Sequence, residues 1–273
     1  MKLFTLLLGL ISLTSSAKDF NVEYSPLIYS DISENIQGIT HSKDYWFISN
    51  QFTIYRIPKS KKLIARNFSP SALKNYDTIK IPEKLRKLKY NHFGGISIYK
   101  NYLLVALERK TPLKILFFDQ ETLELEKIYD VPEHLESLSW VAAGENLIYF
   151  SENKLTPKHP LYIYDPTNDT LTTKTVSKSI KRIQGGTVNE QRRTLMLSSD
   201  TGYPKGGVYS VHLDNFYAQH EAGILYNNGF PAYLEIEGLT FKNPDKKKDI
   251  VLLMLDNNLF GDGFKFIHIS NFW

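Results

Sequence analysis

Five polar residues could do chemistry together, because each stands within two residues of a small residue that opens an apolar run: Gln37, His92, Glu136, Gln184 and Glu237. A second apolar run follows each of them and ends in further polar groups, which are Asn50, Glu108, Glu152, Asn153, Asp200, Asp256, Asn257 and Asn258. Carboxylate and amide oxygens are the ligands that Ca²⁺ prefers, and a histidine can act as a general base. Metal binding, polar-ligand binding and acid–base catalysis are therefore the candidate chemistries.

We predict a role for each group of these residues. Clustered carboxylates repel one another unless a cation lies between them, so the metal ligands, calcium above all, are predicted at Glu136, Glu152, Asp200 and Asp256. Catalytic roles are predicted at His92 and Glu237, and ligand binding at Gln37, Asn50, Glu108, Gln184 and Asn257. For any one residue, the alternative is a polar side chain that caps a turn or binds backbone groups.

Short apolar runs separated by turn-forming residues are the elements that would position these side chains. Runs such as YLLVAL at 102–107 and IVLLML at 250–255 have the length and composition of buried strands. Helical periodicity is scarce, and only residues 82–89 favour a short helix. The pattern predicts an all-β protein.

The strands follow one repeated pattern at intervals of roughly 40 to 60 residues, which is typical of β-propeller blades. Its five copies open with QGIT, FGGIS, ESLS, QGGT and EGLT, at residues 37, 93, 136, 184 and 237. Small residues suit the crowded inner strands of a propeller, where backbones approach closely. We therefore predict a five-bladed propeller that gathers the polar residues at one end of its axis.

The chain ends suggest how the ring closes. Residues 20–28 precede the first blade and are predicted to supply the outer strand of the last blade, which would remove an open sheet edge. A sixth blade hidden within residues 58–90 is one alternative, and a β-sandwich with coincidental spacing is another.

The repeated segments also carry a family resemblance. The QGI, FGGI, QGG and EGL segments, each followed by an apolar strand and a polar tip, resemble those of a little-characterised group of bacterial secreted β-propeller proteins. EGL at 237–239 is similar to the opening of blades in gluconolactonase-like and phytase-like propellers, and the five blades resemble calcium-activated nucleotidases. The chain lacks the Asp-Asp signature of propeller phytases. Such a likeness does not transfer an activity.

Composition and the first residues bound the class of protein. With 273 residues and no cysteine, the chain has room for one large core and excludes disulfide scaffolds and cysteine-ligated metals. Residues 1–17 combine a basic start, an apolar run and a Ser-x-Ala end, which predicts a signal peptide cleaved near Ala17. Residues 18–273 would then form one propeller domain exported to the periplasm or the medium.

Charge gives few indications about partners. A net charge of +4 does not favour nucleic acid, and the basic runs at 59–62 and 246–248 lack the aromatic residues of a nucleic-acid groove. We interpret these runs as solvated loops. No segment after the signal has transmembrane length, and we expect a monomer.

Two functions are compatible with these residues. The favoured one is binding of a small polar molecule, a glycan or a protein partner at the central opening, with a structural calcium ion. The alternative is a metal-dependent hydrolase of phosphoesters or lactones, in which a cation polarises the substrate and His92 or Glu237 is the base. Binding is favoured because the residue types do not assemble a complete catalytic set.

Overall fold

The strands form five antiparallel sheets in chain order, which are the blades of a five-bladed β-propeller. This computed structural model describes residues 13–14, 21–26, 28, 36–108, 111–201, 206–224, 233–243, 248–258 and 261–272. The predicted fold is confirmed. The predicted signal peptide lies outside the described residues except for Leu13–Thr14, a short strand that pairs with residues 223–224.

Each blade runs from an innermost to an outermost strand. Blade 1 has Ile36–His41, Tyr45–Asn50, Thr53–Pro58 and Asp77–Lys80; blade 2 has Phe93–Tyr99, Tyr102–Leu107, Lys114–Asp119 and Leu125–Asp130. Blade 3 has Ala142–Ala143, Ile148–Phe150, Leu161–Asp165 and Thr170–Lys174; blade 4 has Ile183–Asn189, Thr194–Ser199, Gly207–His212 and Ala218–Ile224. Blade 5 has Tyr233–Phe241, Ile250–Asn258, Gly261–Ser270 and Asn21–Tyr24.

Short elements connect these sheets. A two-stranded ribbon joins Lys154–Leu155 to Ile180–Lys181. The helices are Pro70–Leu73 and Glu83–Lys87, with 3₁₀ turns at Ala65–Phe68 and Glu190–Arg192. Glu83–Lys87 confirms the helix predicted within residues 82–89. No helix in the described part of the chain is long and apolar enough to cross a membrane.

Burial explains why the sequence pattern changes across a blade. The second strand of blade 2, Tyr102–Leu107, is buried along almost its whole length and is continuously apolar. The outer strand of blade 3, Thr170–Lys174, is mostly exposed and polar. Middle strands are covered by neighbouring blades on both faces, so an unbroken apolar run is the expected sequence there.

The chain's N-terminal segment closes the ring, as predicted. Asn21–Tyr24 pairs antiparallel with Gly261–Ser270, and Ile28 forms a further bridge to Phe264. Ile28 is buried in the same core as Phe68, whose ring lies 5.5 Å from that of Phe264. The first and last blades are therefore joined through the sheet and through packed side chains.

The long connection within blade 1 contains no sixth blade. Residues 59–76 cross to the outer strand through the two short helical turns and place Phe68 in the core shared by blades 1 and 5. This segment covers a seam between blades, which explains its apolar residues without an additional sheet.

Glycines let the inner strands approach one another at the axis. A Cβ atom at Gly95 would lie 2.8 Å from the carbonyl oxygen of Gln184, and one at Gly185 would lie 2.9 Å from the Cα of Gly238. Real Cβ contacts are not this short, so neither site has room for a side chain. In blade 4 the glycine equivalent to Gly38 and Gly238 is Gly185, the first glycine of the QGGT segment.

Blade 3 departs from the repeat. Its inner strand is only Ala142–Ala143, and the ESLS segment at 136–139 lies in irregular structure before it. Ser139 supplies the contacts to the neighbouring blades that a longer inner strand would make. Its carbonyl accepts from the Gly95 N–H at 2.8 Å, and its Oγ donates to the Ile183 carbonyl at 2.8 Å. Ser139, the last residue of the ESLS segment, therefore links blade 3 to blades 2 and 4.

Candidate functional site: the entry mouth

The entry mouth is the end of the axis at which the inner strands begin. In blades 1, 4 and 5 a β-bulge interrupts the pairing of the inner strand at this end, and the bulged residues are Gln37, Gln184 and Glu237. A bulge leaves its residue unpaired and changes the direction of its side chain. The polar residue before each glycine was visible in the sequence, and the bulge is the local structure that presents it.

Glu237 is the most unusual group at the mouth. Its side chain is buried, and burial is the main cause that raises its pKa well above the usual value. A hydrogen bond to Glu235 and the negative charges of Glu235, Asp200 and Glu108 raise the pKa further. Glu237 is therefore a buried carboxyl group whose charged form is disfavoured by burial and by three neighbouring carboxylates.

A polar network joins blades 4 and 5 beside Glu237. Arg182 Nε lies 2.6 Å from Asp200 Oδ1, and Arg182 Nη2 lies 3.7 Å from Glu235 Oε1. Gln184 Nε2 donates to Asp200 Oδ2 at 3.3 Å. Burial raises the pKa of Asp200 and the Arg182 charge acts in the opposite direction. Arg182 partly balances the carboxylates.

Blades 1 and 2 meet on another side of the mouth. His92 is buried, and its Nε2 lies 3.0 Å from Gln37 Oε1. The Glu108 N–H donates to the His92 carbonyl at 2.9 Å. The structure thus brings the predicted residues Gln37, His92 and Glu108 together on this side of the mouth. Glu108 is also close enough to Glu237 to affect its pKa, so it connects this group with Gln184, Asp200 and Glu237.

The predicted residues of blade 3 make contacts within that blade, and the Asn153 carbonyl also accepts from the Ile183 N–H of blade 4 at 3.0 Å. Glu152 Oε1 accepts from the Glu136 N–H at 3.0 Å, and Glu152 Oε2 contacts His159 Nδ1. The Asn153 N–H donates to Ser137 Oγ at 3.4 Å. These contacts hold the loop and leave the Glu152 carboxylate paired.

The tips of blades 1 and 5 also differ from the expected pattern. Asn50 Oδ1 accepts from the N–H groups of Phe52 and Thr53, at 3.0 and 2.7 Å, so it shapes the turn after its strand. Asp256 and Asn257 lie within the second strand of blade 5, which continues past the apolar run 250–255 to Asn258. The side chains of Asp256 and Asn257 lie outside the described residues.

The calcium site predicted from the sequence stays a prediction. No group of three or more His, Asp or Glu side chains that could hold a metal is found among the residues with described positions. Asp200 is paired with Arg182 and Glu152 with His159, and the pKa of Glu237 is raised well above its usual value.

A pocket beside the mouth was missed by the sequence analysis. It has a volume of about 480 Å³ and lies between blades 1 and 2, where Phe52 and Tyr90 supply rings and Lys80, Arg86 and Lys89 supply positive charge. Phe52 is 53% exposed. The available signal was the basic helix Glu83–Lys87 next to His92, but its distance from Phe52 in the fold could not be read from the sequence.

Comparisons with known proteins give structural likeness only. No family model and no curated protein matches the chain. Kuenenia stuttgartiensis hydrazine synthase is similar at 12% identity and TM-score 0.48, over 85% of this chain and 58% of that one. A nidogen/laminin complex is similar at 13% identity and TM-score 0.49, over 78% of this chain and 73% of that one. The WD40 repeats of RRP9 are similar at 10% identity and TM-score 0.46, over 92% of this chain and 66% of that one. These likenesses carry no functional argument.

Proposed function

We propose that the protein is a ligand-binding propeller that holds a positively charged or hydrogen-bond-donating group of a small polar molecule or glycan at the entry mouth. The supporting observation is the buried Glu237, whose pKa is raised by burial and by its carboxylate neighbours. A cation placed among these groups would favour the charged form of Glu237. Binding would then displace the proton that Glu237 carries.

The pocket between blades 1 and 2 supports a ligand larger than one group. Its cations can pair with an acidic group, and the exposed Phe52 ring can pack on a sugar or an aromatic ring. Asn91 lines this pocket and precedes His92 directly in the chain, so the pocket adjoins the mouth. A protein partner would use the same two regions through a lysine or arginine next to an acidic residue.

The proposal is tested by calorimetric titration at pH 7 with spermidine, glucosamine and CaCl₂ as probes. We expect a cationic probe to bind the wild type with proton release, which is measured by comparing two buffers of different ionisation enthalpy. Glu237→Gln keeps the shape of the protonated acid but cannot become charged, so it should bind at least tenfold more weakly.

The matched control is Glu133→Gln, which removes an exposed carboxylate outside the mouth and should bind as the wild type does. Binding without proton release, equal affinity in Glu237→Gln, or no binding of any probe would each contradict the proposed mouth.

The metal-dependent hydrolase remains the alternative hypothesis. Its roles for His92 and Glu237 predict that His92→Ala and Glu237→Gln abolish phosphodiesterase or lactonase activity. The raised pKa of Glu237 suits a proton donor better than the predicted base. Activity that survives both substitutions would reject these roles.

We also propose that the chain is exported after cleavage near Ala17, since residues 1–17 have the three regions of a signal peptide. Mass spectrometry of the protein secreted by an expressing bacterium should give an N-terminus close to residue 18. Retention of residues 1–17 on an exported chain would contradict cleavage.

A further inference from the structure

A second cavity lies at the opposite end of the propeller, at the seam where blades 1 and 5 meet. Its volume is about 380 Å³. Lys59 follows the third strand of blade 1, and Lys242 follows the inner strand of blade 5. Both strands run away from the entry mouth, so both lysines lie at the opposite end of the axis. Glu23 and His268, which pair across the closing strands, complete this side of the wall.

Lys59 is the central group of the cavity. Its Nζ is buried 3.7 Å from the centroid of the Trp46 ring and has no hydrogen-bond partner among the described residues. Burial lowers the pKa of Lys59 to about 7. A buried amine without a partner is unfavourable in its charged form, and the Trp46 ring offsets only part of that cost.

The other charged groups of the wall make the cavity basic. Lys61, Lys62 and Lys242 line it together with Lys59, whereas Glu23 is the one carboxylate in its described lining. His268 Nδ1 is buried and has no hydrogen-bond partner within the described part of the chain. Burial lowers the pKa of His268, Lys242 lowers it further, and Glu23 opposes them.

His41 also packs against Trp46 and is affected by the positive charge of Lys59. Its ring packs edge-on against the indole with centroids 5.0 Å apart. Burial, followed by the charge of Lys59, lowers the pKa of His41 to about 4, against the opposing hydrogen bonds to the Ser42 and Phe241 carbonyls. The groups that face Lys59 are thus mostly cationic or neutral.

We infer that this cavity is a binding site for an oxyanion, a phosphate, sulfate or carboxylate group, which Lys59 and Lys242 hold at the seam between the first and last blades. An oxyanion supplies an acceptor for Lys59 Nζ and for His268 in the tautomer or charge state that carries an Nδ1–H. The indole of Trp46 and the apolar side chains of Leu63 and Ile64 leave room for a carbon skeleton attached to that group. Residues 59–62 are therefore a functional segment and not merely a solvated loop.

The test is titration of the full chain with sodium phosphate, sodium sulfate or sodium citrate, against sodium chloride at equal ionic strength. We expect a saturable rise of the melting midpoint with at least one oxyanion at millimolar concentration and none with chloride. In ¹³C-lysine NMR spectra, the same oxyanion should raise the pKa of Lys59 from about 7 toward its ordinary value. The probe that binds at the lowest concentration identifies the oxyanion class.

Lys59→Met and Lys242→Met should each weaken the saturable effect at least tenfold, and the control Lys158→Met, an exposed lysine of blade 3, should leave it unchanged. Two neutralising variants are used so that a folding defect in one does not decide the result. Absence of a saturable effect with all three oxyanions, or an equal effect in both neutralised variants and the wild type, would overturn the inference.

Discussion

Glu237 should make the stability of the whole protein depend on pH. An acid whose pKa is raised in the folded state is bound to its proton there while the unfolded chain has already lost it, so stability decreases as the pH rises above the unfolded pKa. Each pKa unit of elevation corresponds to about 1.4 kcal/mol. Relative to low pH, the free energy of unfolding therefore falls as the pH rises from the unfolded pKa of Glu237 to its higher folded pKa.

Glu237→Gln removes this dependence because glutamine keeps the neutral shape of the protonated acid. We expect an unchanged melting midpoint near pH 4 and a midpoint raised by at least about 2–4 °C at pH 8, the equivalent of one or more kcal/mol in a protein of this size. Thermal melting of both proteins from pH 4 to pH 9 measures the difference. Parallel curves would show that Glu237 is not the buried titrating group.

At the residue scale, the sequence indicated the groups of the entry mouth better than those of the seam cavity. Gln37, Gln184 and Glu237 share a local signal, a polar residue directly before the glycine of an inner strand. The position of Lys59 depends on a loop packing against Trp46 and on the closing strands of blade 5. Such contacts are long-range, and a run of lysines is usually solvated, so the interpretation as a plain loop was wrong for Lys59.

At the scale of elements, the inner strands depend on backbone contact at the axis. Gly95→Ala would place a Cβ 2.8 Å from the Gln184 carbonyl oxygen and 3.2 Å from that of Ser139. Both neighbours are backbone atoms and cannot rotate away, so we expect a loss of about 1–3 kcal/mol, as in other overpacked sites. Urea denaturation measures this loss.

Gly186→Ala is the comparison for this prediction. Its added Cβ would meet the Trp140 ring at 3.0 Å and the Ala142 side chain at 3.1 Å. Both contacts are longer than the 2.8 Å contact of the Gly95 site, so the loss should be smaller than at Gly95. A larger loss at Gly186 would contradict the proposed backbone contact at the axis.

The repeat predicted most strands because each blade must bury its middle strands on both faces. The second strands of blades 2 and 5, Tyr102–Leu107 and Ile250–Asn258, contain the apolar runs predicted as strands at 102–107 and 250–255. Blade 3 was harder to predict, because its ESLS segment contains no glycine. Ser139 makes the contacts to the neighbouring blades from irregular backbone. A serine that replaces a strand contact gives no periodic signal.

At the scale of the whole molecule, the count of five repeats and one unassigned segment was enough to predict a closed ring. The seam cavity depends on that closure, since Glu23 comes from the N-terminal strand and Lys59 from blade 1. Ring closure therefore does more than protect a sheet edge. It also assembles a set of cationic groups from residues far apart in the chain.

Ile28→Ala tests how much this closure contributes to stability. Ile28 is outside every repeat, yet it is buried and bonds through its backbone to Phe264 in both directions. Removing a buried aliphatic side chain costs about 2–5 kcal/mol when its cavity cannot collapse, and Phe68 and Phe264 hold this site open. Pro26→Ala, at an exposed position of the same segment, should change stability by less than about 0.5 kcal/mol. If urea denaturation gives the two variants equal stability, the N-terminal segment does not close the ring in solution.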